Sequence, residues 1–110
     1  MSRSPNERFD DILSAIQRCR AYRDFLSNGE GELSEMAFDA ILRNLAVIGE
    51  AVRALPTATL TSMPNVPWTS IAGLRNIVVH EYFRVNPELI SDIVDNYLDH
   101  LQEALEGPSS

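Results

Sequence analysis

The sequence predicts an all-α protein, an antiparallel bundle of four to five helices, and three observations predict it. Apolar residues recur every three or four positions in four separate segments. Each segment is bounded by a capping residue, a glycine or a proline. No stretch carries the two-residue alternation of a half-buried strand.

The first helix opens at Ser4, with Pro5 at the first helical position and Glu7 placed to complete a capping box. Phe9, Ile12, Leu13, Ile16 and Cys19 form its apolar stripe, which continues towards Tyr22 and Phe25 until Asn28-Gly29-Glu30-Gly31 stops it. Ser34 is the expected cap of the second helix, with Leu33 and Phe38 as a hydrophobic staple across it. Phe38, Ile41, Leu42, Leu45, Ile48, Val52 and Leu55 give that helix one apolar face. Met36, Ala40, Val47, Ala51 and Ala54 give it a second. A helix apolar on two sides must be covered on two sides, so this one is either the centre of the bundle or part of a subunit interface.

Pro56, Pro64 and Pro67 then interrupt regular structure, leaving a connection with room for one short helical turn near Leu60. The third helix runs from about Pro67-Trp68 to about Phe83, with Gly73 as a point of kinking. Asn86-Pro87-Glu88 caps and starts the fourth, whose inward residues are expected to be Leu89, Ile90, Ile93, Val94, Tyr97, Leu101 and Leu105. Gly107-Pro108 ends it. Neither an internal repeat nor a linker divides the chain, so residues 1–110 read as one domain.

Composition narrows the function classes. No apolar run approaches the roughly 20 residues that span a bilayer. The N-terminus is polar and lacks the apolar core of a signal peptide, so a cytoplasmic protein with no membrane partner is expected. Cys19 is the only cysteine; it reads as a core thiol in a reducing compartment, not a nucleophile. The formal charge of −7 argues against broad electrostatic binding of nucleic acid, DNA included. All nine cations, however, are arginines, whose planar fork suits phosphate, so a confined RNA site is compatible with the charge. Arg18, Arg20 and Arg23 form one small basic patch, read by default as a solvated face and otherwise as a contact for RNA or an acidic partner. Asp95, Asp99 and Glu103, with His100 adjacent, are read as a solvated helix exterior and not a metal face.

The segment that carries chemistry is Gly73-Leu74-Arg75-Asn76-Ile77-Val78-Val79-His80-Glu81-Tyr82-Phe83. At about 100° per residue, Arg75 and Tyr82 lie nearly in line, while His80 stands about 140° around from Arg75. A helix end after Val79, or a second copy across a two-fold axis, would bring Arg and His together. Gathered around one phosphate, they suit RNA cleavage by the RNA's own 2′-hydroxyl. Histidine moves protons near neutral pH, and arginine neutralises charge building on the phosphoryl group, so the chemistry needs no metal. The plainer alternative is a capping or core histidine, with Arg75 paired to Glu81 or another acid. Glu50 is a carboxylate expected to pair with Arg43, Arg53 or an arginine of the cleft.

Arg75-Asn76-Ile77-Val78-Val79-His80-Glu81-Tyr82-Phe83 resembles the signature of HepT-like toxins of the HEPN superfamily: an Arg, a polar residue, three apolar residues, a His, any residue and a Tyr. Arg43 to Ala51 is similar to the family's second-helix segment, and Val66-Pro67-Trp68 with Ile71-Ala72-Gly73 to the approach to its motif. The resemblance implies an all-helical homodimer whose two motifs meet in a cleft and cleave RNA without metal. It implies that Arg75 and His80 are catalytic, with Asn76 as the polar residue that helps orient the site. Tyr82 takes the place of the tyrosine to which the partner, a minimal nucleotidyltransferase antitoxin, transfers AMP in a type VII-like toxin–antitoxin pair. The alternative is a non-catalytic helical subunit that docks on a nucleotidyltransferase and binds nucleotide or substrate. A third reading is a dimeric scaffold whose motif is out of use.

Overall fold

The computed structural model describes residues 4–26, 31–80 and 86–106. Most of those residues are helical, with no strand among them: α1 (Pro5–Leu26), α2 (Glu32–Arg53), α3 (Thr57–Ser62), α4 (Trp68–Ala72), α5 (Leu74–His80) and α6 (Pro87–Asp92). A π-helical segment (Ile93–Tyr97) then leads into α7 (Leu98–Leu105). No helix among the described residues is long and apolar enough to cross a membrane.

α1 begins as the capping box predicts: the Glu7 amide donates to Ser4 Oγ at 3.2 Å, and the Ser4 amide donates to Glu7 Oε1 at 3.1 Å. α2 begins three residues earlier than expected, capped at Gly31 and not at Ser34. Gly31, at φ 90°, turns the chain into the helix through a conformation that L side chains rarely adopt, and no side chain caps it. Ser34 therefore lies inside the first turn, buried, and Leu33 is 55% exposed, so neither the serine cap nor the staple forms. Glu32 and Glu35 in that first turn instead complement the positive end of the helix dipole.

The core is built on α2. Ile41, Leu42, Leu45, Ile48 and Val52 pack with Ile12, Ala15, Ile16 and Cys19 of α1, with Ile71 and Leu74 of α4 and α5, and with the last helices through Ile90, Val94, Leu98 and Leu101. α2 is thus the central helix that two apolar faces required. Its second face is only partly covered: Ala51 is buried, but Met36 is 66% and Val47 38% exposed. Cys19 is a core thiol, as expected. Burial pushes it up to about 12, which keeps it protonated and unreactive.

Trp68 is half-buried at the core's edge, and its indole N–H is shared between the Leu60 and Met63 carbonyls, at 3.2 and 3.0 Å. It pins the proline-rich connection, including the short helix α3, to the start of α4. Gly73 divides the third helix into α4 and α5 without breaking its hydrogen bonding, because the Gly73 amide reaches Thr69 O and its carbonyl still accepts from Ile77. Asn86 caps α6, accepting from the Leu89 amide at 2.8 Å.

In the last helix Ile90, Ile93, Val94 and Leu101 are buried as expected and Leu105 packs against the core, and the departure in register is local to the π segment. A π turn holds more residues than an α turn, which there moves the inward position from Tyr97 to Leu98. Leu98 enters the core, while Tyr97 and Leu89, expected inside, are 42% and 43% exposed.

Candidate active site

Gly49 determines how closely α2 approaches the start of α5. A Cβ there would stand 2.8 Å from the Arg75 backbone nitrogen, 3.0 Å from Arg75 Cβ and 3.2 Å from the Ala72 carbonyl oxygen. Only a residue without a side chain allows this contact. The next residue, Glu50, completes the seat, with Arg75 Nε 2.7 Å from Glu50 Oε1. Gly49 thus fixes the base of the Arg75 side chain, and Glu50 holds its guanidinium by one edge. Of the partners expected for Glu50, the structure selects the arginine of the motif.

Arg75 and Glu50 lie in an open groove of about 690 Å³ between α1, α2 and α5. Arg8 and Asp11 of α1, Arg43 and Val47 of α2, and Val79 of α5 also line it. A smaller adjoining recess is lined by Glu50, Arg53, Ala54 and Arg75. The Arg75 side chain is 36% exposed, so it is both held and reachable.

The two other predicted site residues that are described, His80 and Asn76, are not gathered there within one copy. α5 continues through His80, so the helix does not end after Val79. His80 and Asn76 are exposed, and neither lines the groove. Tyr82 and Glu81 lie outside the described residues. Arg8 was missed by sequence reasoning, because nothing in the pattern of α1 marks it as a neighbour of the motif. For Arg43 a signal existed: it stands seven residues before Glu50, on nearly the same side of the helix.

The two other readings of charge are corrected or sharpened. Arg20 and Arg23 are not a basic patch open to RNA. Arg20 pairs with Asp99, and Arg23 grips Asp95 through Nε and Nη2 at 2.9 and 2.7 Å. Asp95 and Asp99 are exposed, as expected of a helix exterior, and are at the same time the other half of a clasp between α1 and the C-terminal helices. Among the described residues no cluster of three or more His, Cys, Asp or Glu could hold a metal ion.

The sequence profile of the HepT-like ribonucleases (Ribonuclease HepT-like) matches residues 12–107. The chain belongs to the HepT-like ribonuclease family. Relatives of this HepT-like chain include a provisionally named RNase of Methanocaldococcus jannaschii, 49% identical over 86 residues, which are 78% of this chain and 71% of that protein. A second provisionally named RNase of the same organism is 34% identical over 85 residues, 77% of this chain and 72% of that protein. A provisionally named ribonuclease HepT of Thermococcus cleftensis is 28% identical over 112 residues, covering 96% of each chain. No solved structure matches the chain. The profile spans the entire Gly49-Glu50-Arg75 seat of this HepT-like protein, and the motif through His80 and Tyr82.

Proposed function

We propose that the protein is a metal-independent endoribonuclease toxin that acts as a homodimer. It cleaves RNA by attack of a 2′-hydroxyl on the adjacent phosphorus. The observation that carries this reading is Arg75 held by one edge in an open groove, five residues before an exposed His80 on the same helix. An arginine meant only to close an ion pair has no need of an accessible groove.

In the reaction, a base takes the proton of the 2′-hydroxyl, its oxygen bonds to phosphorus, and the bond to the 5′-oxygen breaks. An acid then protonates that leaving oxygen, leaving a 2′,3′-cyclic phosphate and a 5′-hydroxyl. His80 handles protons, and Arg75 offsets the charge gathering on the non-bridging oxygens. Within one helix these side chains point about 140° apart. Two motifs facing each other would supply the convergence, and the partly uncovered face of α2, with Val79 of α5 52% exposed beside it, supports a second copy there. Asn76 orients the site. Silencing follows from AMP transfer to Tyr82 by a minimal nucleotidyltransferase antitoxin, which adds bulk and phosphate charge two residues beyond His80.

The test begins with the mass of the peptide containing Tyr82, because modified protein would be silent. Unmodified chain should cleave RNA in a metal chelator, and Arg75→Ala or His80→Ala should abolish cleavage. Tyr82→Phe should cleave but accept no AMP. An unmodified, folded chain that leaves RNA intact would move the assignment to a phosphate-holding subunit docked on a nucleotidyltransferase.

A further inference from the structure

Seven of the nine arginines lie in described residues, and their surroundings divide them sharply. Arg20 and Arg23 are held in the clasp with Asp99 and Asp95. Arg18 stands apart, in a shallow recess with Asp10 and Gln17. The remaining four, Arg8, Arg43, Arg53 and Arg75, line the groove and the recess that adjoins it. In a chain with a net charge of −7, this is where cations gather.

Their order along α2 has a direction. Taking about 100° per residue, Arg43 lies within about 20° of Glu50 around the helix, and Arg53 within about 60°. Arg43 is seven residues before Glu50 and Arg53 three after, so at 1.5 Å per residue they are displaced by about 10 Å and about 5 Å in opposite directions. The Glu50–Arg75 pair therefore sits between two exposed guanidinium groups on one helical face, with Arg8 of α1 on the facing wall. Glu50 is matched by Arg75, and Asp11, the groove's other acid, also has a partner. The span from Arg43 to Arg53, about 15 Å, equals roughly four stacked nucleotides at 3.4 Å each.

We propose that Arg43 and Arg53, assisted by Arg8, are anchors for the RNA backbone on either side of the phosphate held by Arg75. This rests on the ribonuclease reading for the identity of the ligand. The anchors do no chemistry: they neutralise flanking phosphates and fix the strand's position, so they act on affinity and its salt dependence.

The experiment measures binding of a short 2′-O-methyl RNA, which lacks the attacking hydroxyl, by fluorescence anisotropy over a range of salt. Cleavage of unmodified RNA is measured in parallel. Arg43→Ala and Arg53→Ala should each weaken binding and lower the slope of log affinity against log salt by about 0.7. At limiting RNA, cleavage should fall for these two in step with the lost affinity and recover largely as RNA is raised, whereas for Arg75→Ala it should be lost at every RNA concentration. Arg18→Ala should match the unsubstituted protein in every respect. Circular dichroism and solution mass are recorded for each variant. Unchanged slopes for both variants overturn the proposal, as does an altered oligomeric mass with an unchanged slope, which would assign these arginines to contact between copies. A parent protein that binds but never cleaves would instead sink the ribonuclease reading, while the slopes still decide the anchors.

Discussion

Two arginine–carboxylate contacts in this protein use the same chemistry for different ends. At the clasp, Arg23 gives Asp95 both Nε and Nη2, and Arg20 adds a second pair one turn away on α1, tying α1 to the C-terminal helices. At the groove, Arg75 meets Glu50 with Nε 2.7 Å from Oε1, and among the described residues no two-pronged hydrogen-bonded grip like that of Arg23 joins them. A two-pronged grip uses up the fork that would recognise phosphate, whereas a single-edged one orients the fork and leaves it available. What distinguishes a structural arginine from a functional one here is how much of the guanidinium its carboxylate occupies.

The contrast is broken most severely by removing a site residue. Arg75→Ala or His80→Ala should lower the cleavage rate by at least about a hundredfold, the loss typical of a missing group that stabilises charge in a transition state. Thermal stability should stay close to that of the parent. A variant that cleaves normally would place Arg75 with the clasp residues, as an ion pair and nothing more.

Gly49→Ala tests the seat. Its methyl group would meet backbone atoms of α5 at 2.8 Å, and backbone does not swing aside as a side chain does. Overpacking of this kind costs about 1–3 kcal/mol, which denaturant unfolding would register. Because α5 must shift, cleavage should fall by more than the lost folded fraction explains. Unchanged stability and activity would mean that α2 and α5 are not held so closely in solution.

Glu50 separates orientation from charge. Glu50→Gln keeps an oxygen that can accept from Arg75 Nε, and should retain most of the activity. Glu50→Ala should lose about tenfold, on the order of 1.4 kcal/mol for a freed and misdirected guanidinium. If both variants were equally inactive, Glu50 would act as a base or charge and not as a holder.

How much of this was legible in the sequence follows from the range of each interaction. The capping box at Ser4, the proline-started helix after Asn86 and the inward faces of α1 and α2 depend on neighbours within a turn, and periodicity reads them directly. The start of α2 escaped because Gly31 enters it through backbone freedom, leaving no capping side chain to find. Within the last helix, whose other core residues periodicity reads correctly, Leu98 escaped because the π segment puts it in the place of Tyr97, and the α period cannot express one extra residue in a turn. The motif pointed to Arg75 and His80, and Glu50 was singled out on α2. Their pairing across helices, and the arrival of Arg8 beside them, are tertiary facts. The same limit made Arg20 and Arg23 look like an open basic patch: their acids lie 79 and 72 residues further along.

The clasp yields the smallest effect, and its pH dependence identifies it. Hydrogen bonding from Arg23, then its charge, holds the Asp95 carboxyl below the ordinary carboxylate range, against a partial opposing pull from desolvation. A carboxyl with a lowered value in the folded state stabilises the fold at pH above its unfolded value, and that contribution disappears as pH falls through the folded one. Asp95→Asn should therefore leave a small deficit in melting temperature at neutral pH that closes on acidification, the two curves meeting below the carboxylate range. Added salt should shrink the neutral-pH deficit, because both partners are substantially exposed to water. A deficit that persisted unchanged into acid would mean that Asp95 contributes by packing, and the clasp would then differ from the Arg75 seat in kind and not merely in how many guanidinium edges it occupies.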